Sequence, residues 1–124
     1  MSLGNLVGKT LTAIDGAEVG SERIAMVCPE GVLFMYHLQD CCETVVVEDI
    51  SGEIGDLIGS PILVAEGRES EECPEGSTPH DESNTWTFYT FRTLKGTVDI
   101  RWHGSSNGYY GESVYESWEP SNAD

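Results

Sequence analysis

Apolar and polar residues alternate along several short segments of this chain, and this period of two constrains the fold more than any other feature. The clearest case is 97–103, where Val98, Ile100 and Trp102 share one face. Such alternation is typical of strands with one buried face. The segment 43–50 is rich in β-branched residues, which also favour strands. The chain is therefore predicted to be mainly β.

Turn signals divide the remainder of the chain into further strands and one short helix. Strands are predicted at 9–15, 22–28, 32–37, 61–65, 85–92 and 113–118. A helix is predicted at about 52–58, because Ser51 suits an N-cap and Gly59 followed by Pro61 suits a helix end. Seven or eight short strands with one short helix predict a single-domain antiparallel sandwich or partly open barrel spanning residues 1–124.

Two segments depart from simple alternation. Residues 66–84 are rich in acids and offer almost nothing to bury, so they predict a mobile acidic loop within the domain. The strand at 32–37 is apolar on both faces, which predicts a strand that is covered on both sides.

The charge balance limits the possible partners. Six basic residues stand against 22 acidic ones, for a formal net charge of −16, and the basic residues are scattered along the chain. Proteins bind DNA and anionic membranes through clustered Lys and Arg, so neither is an expected direct partner. No apolar run approaches the roughly 18–20 residues that a membrane span needs. A protein partner that meets the acidic surface is the expected alternative.

Four cysteines are present, at positions 28, 41, 42 and 73, and the chain shows no export signal. We therefore expect a cytoplasmic protein with reduced thiols. The neighbours Cys41 and Cys42 would also be strained as a disulfide.

The densest group of potential ligands lies at 37–43. His37, Cys41 and Cys42 offer an imidazole and two thiols, which are zinc ligands, although a fourth ligand would have to come from His103, His80 or Cys73. A strand connection with buried cysteines explains the same residues without a metal. A thiol enzyme is a further alternative, but Asp40 and Glu43 would disfavour the thiolate. No catalytic residue and no cofactor are assigned.

The remaining candidates are few. Arg101 and His103 are predicted to point outward from their strand, and 107–110 forms a loop with two tyrosines. The aromatic residues Trp86, Phe88, Trp102 and Trp118 fit a core, and joint exposure of several aromatics would instead indicate a face that binds a partner.

Several strings together carry a resemblance. They are YHLQDCCE at 36–43, EDI at 48–50, DLIGSPIL at 56–63, WTFY at 86–89 and RWHGSSNGYY at 101–110. Over about 8–116 the chain resembles a family of small uncharacterised proteins encoded by bacteriophages, especially those of actinobacteria. The resemblance implies a phage origin and the cytoplasm of an infected bacterial host, and it implies no activity.

The expected function is that of a non-enzymatic phage accessory protein that binds a host or phage protein, through its acidic surface. One alternative is a metal-binding or thiol enzyme centred on His37, Asp40, Cys41 and Cys42. A virion-associated structural protein is another. Strand edges would also allow a homodimer.

Overall fold

The computed structural model describes residues 2–39, 42–79, 83–108 and 111–121. It contains two antiparallel four-stranded sheets, with strand orders β1-β2-β3-β8 in sheet 1 and β4-β7-β6-β5 in sheet 2. The strands are β1 (Ala13–Asp15), β2 (Arg23–Cys28), β3 (Gly31–Tyr36), β4 (Thr44–Ser51), β5 (Val64–Ser70), β6 (Ser83–Thr93), β7 (Gly96–Ser106) and β8 (Tyr115–Pro120). The sheets do not close into a barrel, which confirms the mainly β prediction and selects its sandwich form.

One hydrophobic core joins the inner faces of the two sheets. Its fully buried members come from alternate positions of the strands, as the period of two predicts. They include Ile24, Met26, Leu33 and Met35 of sheet 1 and Val45, Phe91, Val98, Ile100 and Trp102 of sheet 2. Burying a large apolar side chain contributes about 1.5–3 kcal/mol, so this shared core is the main source of stability.

The predicted helix at 52–58 is a single 3₁₀ turn at Ile54–Leu57. Ser51 ends β4 and is therefore unavailable as a helix cap, and the residue at the cap position, Glu53, makes no side-chain cap bond. Leu57 is buried, as predicted. A second 3₁₀ turn at Ser2–Leu6 adds Leu3 and Leu6 to the core and had no sequence prediction. No helix in the described ranges is long and apolar enough to cross a membrane.

The bounds predicted for the acidic loop, 66–84, are wrong at both ends. Strand β5 continues to Ser70 and pairs with β6, from Val64 opposite Arg92 to Ser70 opposite Trp86, and β6 already begins at Ser83. An edge strand has only one hydrogen-bonded neighbour and can present polar side chains to solvent, so its composition resembles that of a loop. The segment between these strands is 71–82, of which 80–82 lie outside the described residues.

Candidate binding surface

Strand β3 has two apolar faces, and the structure covers only one of them. Leu33 and Met35 are buried in the core, whereas Val32, Phe34 and Tyr36 point to the outside of sheet 1 and are half-buried. The prediction that this strand is covered on both sides is therefore wrong. Sheet 2 packs on one face of sheet 1 only, and the second apolar face is left partly open to solvent.

The neighbouring strands extend this surface. In the register of sheet 1, Arg23, Tyr36 and Tyr115 form one row across β2, β3 and β8. A second row holds Ala25, Phe34 and Ser117, and a third holds Val27, Val32 and Glu119. We call the surface formed by Ala25, Val27, Val32, Phe34, Tyr36 and Tyr115 the apolar face.

Aromatic side chains dominate the apolar face. Tyr115 is 49% exposed and its ring lies 6.0 Å from that of Tyr36. The guanidinium of Arg23 stacks 4.4 Å above the ring of Phe34. Exposed aromatic patches of this kind are characteristic of interfaces.

Carboxylates surround the apolar face. Asp15 lies beside Ala25 in the register, and Glu119 lies beside Val32. Glu22 precedes β2 and Glu30 lies in the β2–β3 turn, and all four acids are exposed. An apolar centre with a charged rim is the usual anatomy of a protein interface.

A pocket of about 500 Å³ adjoins the apolar face at the end of β3. We call it the corner pocket. Its lining includes Tyr36 and Tyr115 from the apolar face, together with His37, Gln39 and Glu43. Leu38 also lines it and is 74% exposed.

His37 and Glu43 form a buried pair in the corner pocket. The Nε2 atom of His37 lies 3.0 Å from Oε2 of Glu43, and Nδ1 lies 2.7 Å from the carbonyl oxygen of Ser113. A carbonyl only accepts hydrogen bonds, so Nδ1 carries a proton, and the contact with the carboxyl group needs a second one. The imidazole and the carboxyl group therefore form one buried hydrogen-bonded unit.

Gln39 fixes the backbone on the other side of the corner. Its side-chain amide donates to the carbonyl of Val45 at 3.0 Å and accepts from the Val45 amide at 3.3 Å. These two hydrogen bonds imitate strand pairing at the start of β4. The ring of Tyr115 stacks on His37, with centroids 5.6 Å apart. The corner pocket is thus built on anchored groups.

The predicted zinc site takes His37, Cys41 and Cys42 as ligands. Cys41 and Asp40 lie outside the described residues. Both ring nitrogens of His37 already have oxygen partners, and Cys42 is disulfide-bonded. Within the described ranges no group of three or more His, Cys, Asp or Glu residues could hold a metal ion. The zinc site, which includes Cys41, stays a prediction.

The prediction of four reduced thiols is wrong for Cys42. Its sulfur belongs to a disulfide, whereas Cys28 and Cys73 are free. A disulfide sulfur is neither a thiolate nucleophile nor a zinc ligand, so the thiol-enzyme hypothesis loses Cys42 in this state. Cys28 is buried in the core and Cys73 is exposed.

His103 lies on the outer face of β7 with Arg101, as predicted, but it is buried there against Trp86. The two rings stack with centroids 4.8 Å apart, and Nε2 of His103 lies 2.8 Å from Oδ1 of Asn84. Nδ1 lies 3.6 Å from Glu48, which also accepts a bond of 2.6 Å from Nε of Arg101. His103 and His37 thus belong to separate networks on separate sheets.

Glu48 owes its position to a β-bulge. The register of β4 on β7 shifts between Val47 and Asp49, so Glu48 is the extra residue. The Oε2 atom of Glu48 accepts a hydrogen bond of 2.7 Å from the hydroxyl of Ser77. That hydroxyl in turn accepts a hydrogen bond of 3.0 Å from Nε1 of Trp86. These bonds attach the segment 71–79 to the outside of sheet 2.

The predicted aromatic core is correct for Trp102, which is fully buried in it, and for Trp118, which packs against it. Trp86 is buried too, but on the outer face of sheet 2 beside His103. Phe88 instead lies half-buried on the outside of sheet 2, where the Arg68 guanidinium stacks 4.3 Å above it. In the predicted loop at 107–110, both tyrosines lie outside the described residues.

The sequence analysis missed the apolar face and the pairing of His37 with Glu43. The signal for the face was present, since 32–37 is apolar on both sides, but a strand buried between two layers has the same pattern. The His37–Glu43 pair had no signal, because a spacing of six residues across a turn does not report contact.

Comparison with known proteins assigns a family and no activity. The family model described as Domain of unknown function (DUF7448) matches residues 4–115, and the chain therefore belongs to that family. No curated protein and no solved structure matches the chain.

Proposed function

We propose that this member of the DUF7448 family is a non-enzymatic protein that binds a basic protein partner through the apolar face. The observation that carries the proposal is a sheet surface on which Phe34, Tyr36 and Tyr115 are partly open to solvent. Aromatic residues are the commonest energetic centres of interfaces, because each removes a large area from water when it is covered.

Charge favours a basic partner over a second copy of this chain. Two copies would each bring a formal net charge of −16 to the interface. Carboxylates also rim the apolar face at Asp15, Glu22, Glu30 and Glu119, and like charges across an interface cost free energy. A basic rim on the partner turns the same charges into attraction and speeds association.

The cations of this chain support a protein partner rather than nucleic acid. Lys9, Arg23 and Arg68 each stack over an aromatic ring of the chain itself, and Arg101 pairs with Glu48. Arg23 lies in sheet 1, Arg68 and Arg101 lie in sheet 2, and Lys9 precedes β1, so these groups form no stripe that could follow a phosphate backbone.

The proposed setting follows from the resemblance to bacteriophage proteins. We infer that the chain is a phage accessory protein that acts in the cytoplasm of an infected bacterium, where the basic partner is a host or phage protein. A partner that normally binds nucleic acid has the required surface charge.

The test places a photo-crosslinking amino acid at position 34, in the centre of the apolar face. The matched control carries the same group at position 88, which is also a half-buried phenylalanine below an arginine but lies on sheet 2. Both proteins are expressed in the bacterial host, the cell lysates are irradiated at low and at high salt, and the adducts are identified by mass spectrometry.

The expected result is an adduct with one basic protein from position 34 only. Its yield should fall at roughly 0.5 M salt, because the Debye length is then only about 4 Å. Replacement of Tyr36 by serine should lower the yield as well. An adduct that contains only a second copy of the chain, or equal yields from positions 34 and 88, would contradict the proposal.

A further inference from the structure

The corner pocket is a second feature of the same surface, and the apolar face alone does not explain it. It opens beside the apolar face, since Tyr36 and Tyr115 belong to both, and Leu38 stands exposed at the same end of β3. A partner that covers the apolar face therefore also faces the pocket. What the pocket accepts depends on its walls and its charge.

Two tyrosine rings form the walls of the corner pocket. They are tilted by 48° to each other, with centroids 6.0 Å apart, and both have faces rich in π electrons. Neither hydroxyl has a hydrogen-bond partner among the described residues. Aromatic faces of this kind attract guanidinium and ammonium groups, Arg more often than Lys.

The chain uses the same chemistry for its own cations. Arg23 stacks over Phe34, Arg68 over Phe88 and Lys9 over Trp118, at 4.4, 4.3 and 5.7 Å from the ring centroids. Half of the six basic residues are thus held on rings. The Tyr36–Tyr115 pair is an aromatic surface of the same kind, and no Lys or Arg is among the described residues that line its pocket.

Electrostatics favours a cation over an anion in the pocket. The carboxyl group of Glu43 lies in the pocket, and no Lys or Arg stands among the described residues that line it. The net charge of −16 makes the surrounding potential negative. The pocket is also open at its mouth, so a bound cation keeps part of its hydration and avoids most of the cost of burial.

We propose that the corner pocket binds a cationic side chain of the partner, with arginine preferred. The guanidinium stacks on Tyr36 and Tyr115, and its alkyl stem packs on Leu38. This inference rests on the proposed function, because it assigns the pocket to the partner that covers the apolar face. It adds the residue type that anchors that partner.

The test uses single blocked amino acids as probes of the intact protein. N-acetyl-arginine amide is titrated while the tyrosine and His37 resonances are followed by NMR, and N-acetyl-citrulline amide is the matched control. Citrulline has nearly the shape of arginine but is neutral. We expect saturable shifts at Tyr36, Tyr115 and His37 with a millimolar dissociation constant, and binding of citrulline weaker by about three- to tenfold.

A variant identifies the pocket. Tyr115→Leu keeps an apolar side chain at a position that is 49% exposed, so the fold should persist, and it should reduce arginine binding to the level of citrulline. Phe88→Leu on sheet 2 should leave arginine binding unchanged. Equal binding of arginine and citrulline, or arginine shifts that persist in Tyr115→Leu, would overturn the inference.

The outcomes separate this inference from the proposed function. If arginine does not bind but position 34 still crosslinks to a basic protein, the apolar face remains the docking surface and only the anchor is wrong. If arginine binds but position 34 gives no basic adduct, the pocket stands and the docking function falls.

Discussion

Tyr89 shows how one polar atom can join the two sheets. Its ring is buried in the core, and its hydroxyl donates a hydrogen bond of 2.9 Å to Oε2 of Glu116 in β8. Burial, reinforced by the negative charge of Glu116, raises the pKa of the phenol far above its ordinary value. The folded protein therefore keeps this hydroxyl protonated under alkaline conditions.

The raised pKa of Tyr89 predicts a loss of stability at high pH. Above a pH of about 10 an unfolded tyrosine releases its proton while the folded one does not, so the unfolded state binds fewer protons. The free energy of unfolding should then fall by up to about 1.4 kcal/mol per pH unit, and this contribution should be absent in Tyr89→Phe. Urea denaturation between about pH 8 and pH 11 measures it.

Tyr36→Phe is the control for that experiment, because the Tyr36 hydroxyl has no hydrogen-bond partner among the described residues. It should keep the alkaline fall of the native chain. If Tyr89→Phe shows the same alkaline fall as the native chain, Tyr89 is not the responsible group.

At the scale of elements, one serine holds the segment 71–79 on sheet 2. The Ser77 hydroxyl donates to Glu48 in the bulge of β4 and accepts from the indole of Trp86 in β6. The segment has little else to bury, since most of its residues are exposed. Its position therefore depends on a few polar contacts rather than on packing.

Ser77→Ala should release this segment. The variant leaves the indole N–H of the buried Trp86 without its acceptor, which costs about 1–3 kcal/mol. We expect faster amide hydrogen exchange across 71–79 and a change in tryptophan fluorescence, with the strands of sheet 1 unaffected. Ser60→Ala removes a hydroxyl that has no hydrogen-bond partner among the described residues, and it should change neither measurement. Equal exchange in both variants would show that Ser77 does not hold the segment.

For the whole molecule, the charge imbalance opposes the compact state. With 22 acids and six bases, folding brings many carboxylates close together, and ion pairs compensate few of them. Added salt screens this repulsion. The same field is what selects a basic partner in the proposed function.

Stability should therefore rise with salt, and the rise should shrink when acids are removed. Replacing Glu71, Glu72 and Glu75 together by glutamine removes three exposed negative charges. The urea midpoint should then be higher at low salt and less sensitive to sodium chloride. The matched triple aspartate variant keeps the charge and should behave like the native chain. A midpoint that does not respond to salt in the native chain would contradict this prediction.

The sequence by itself determined the fold class and most strands, because a period of two reports local burial. Val98, Ile100 and Trp102 are buried as the alternation in β7 predicts, and the hairpin of β2 and β3 lies where its turn residues place it. The predicted bounds of the edge strand β5 were less accurate, because β5 is as polar as a loop and is defined only by its pairing with β6. The predicted helix also failed, because β4 extends through its presumed cap.

Only the tertiary structure decided which apolar face is covered and which polar groups meet. The apolar residues of β3 look equally suited to a core, and the arrangement of the two sheets leaves Phe34 and Tyr36 outside it. The contacts of His37 with Ser113 and of Glu48 with Ser77 and Arg101 join positions that are distant in the sequence. Local patterns carry no information about such long-range contacts, because these arise from how strands are ordered and stacked in space.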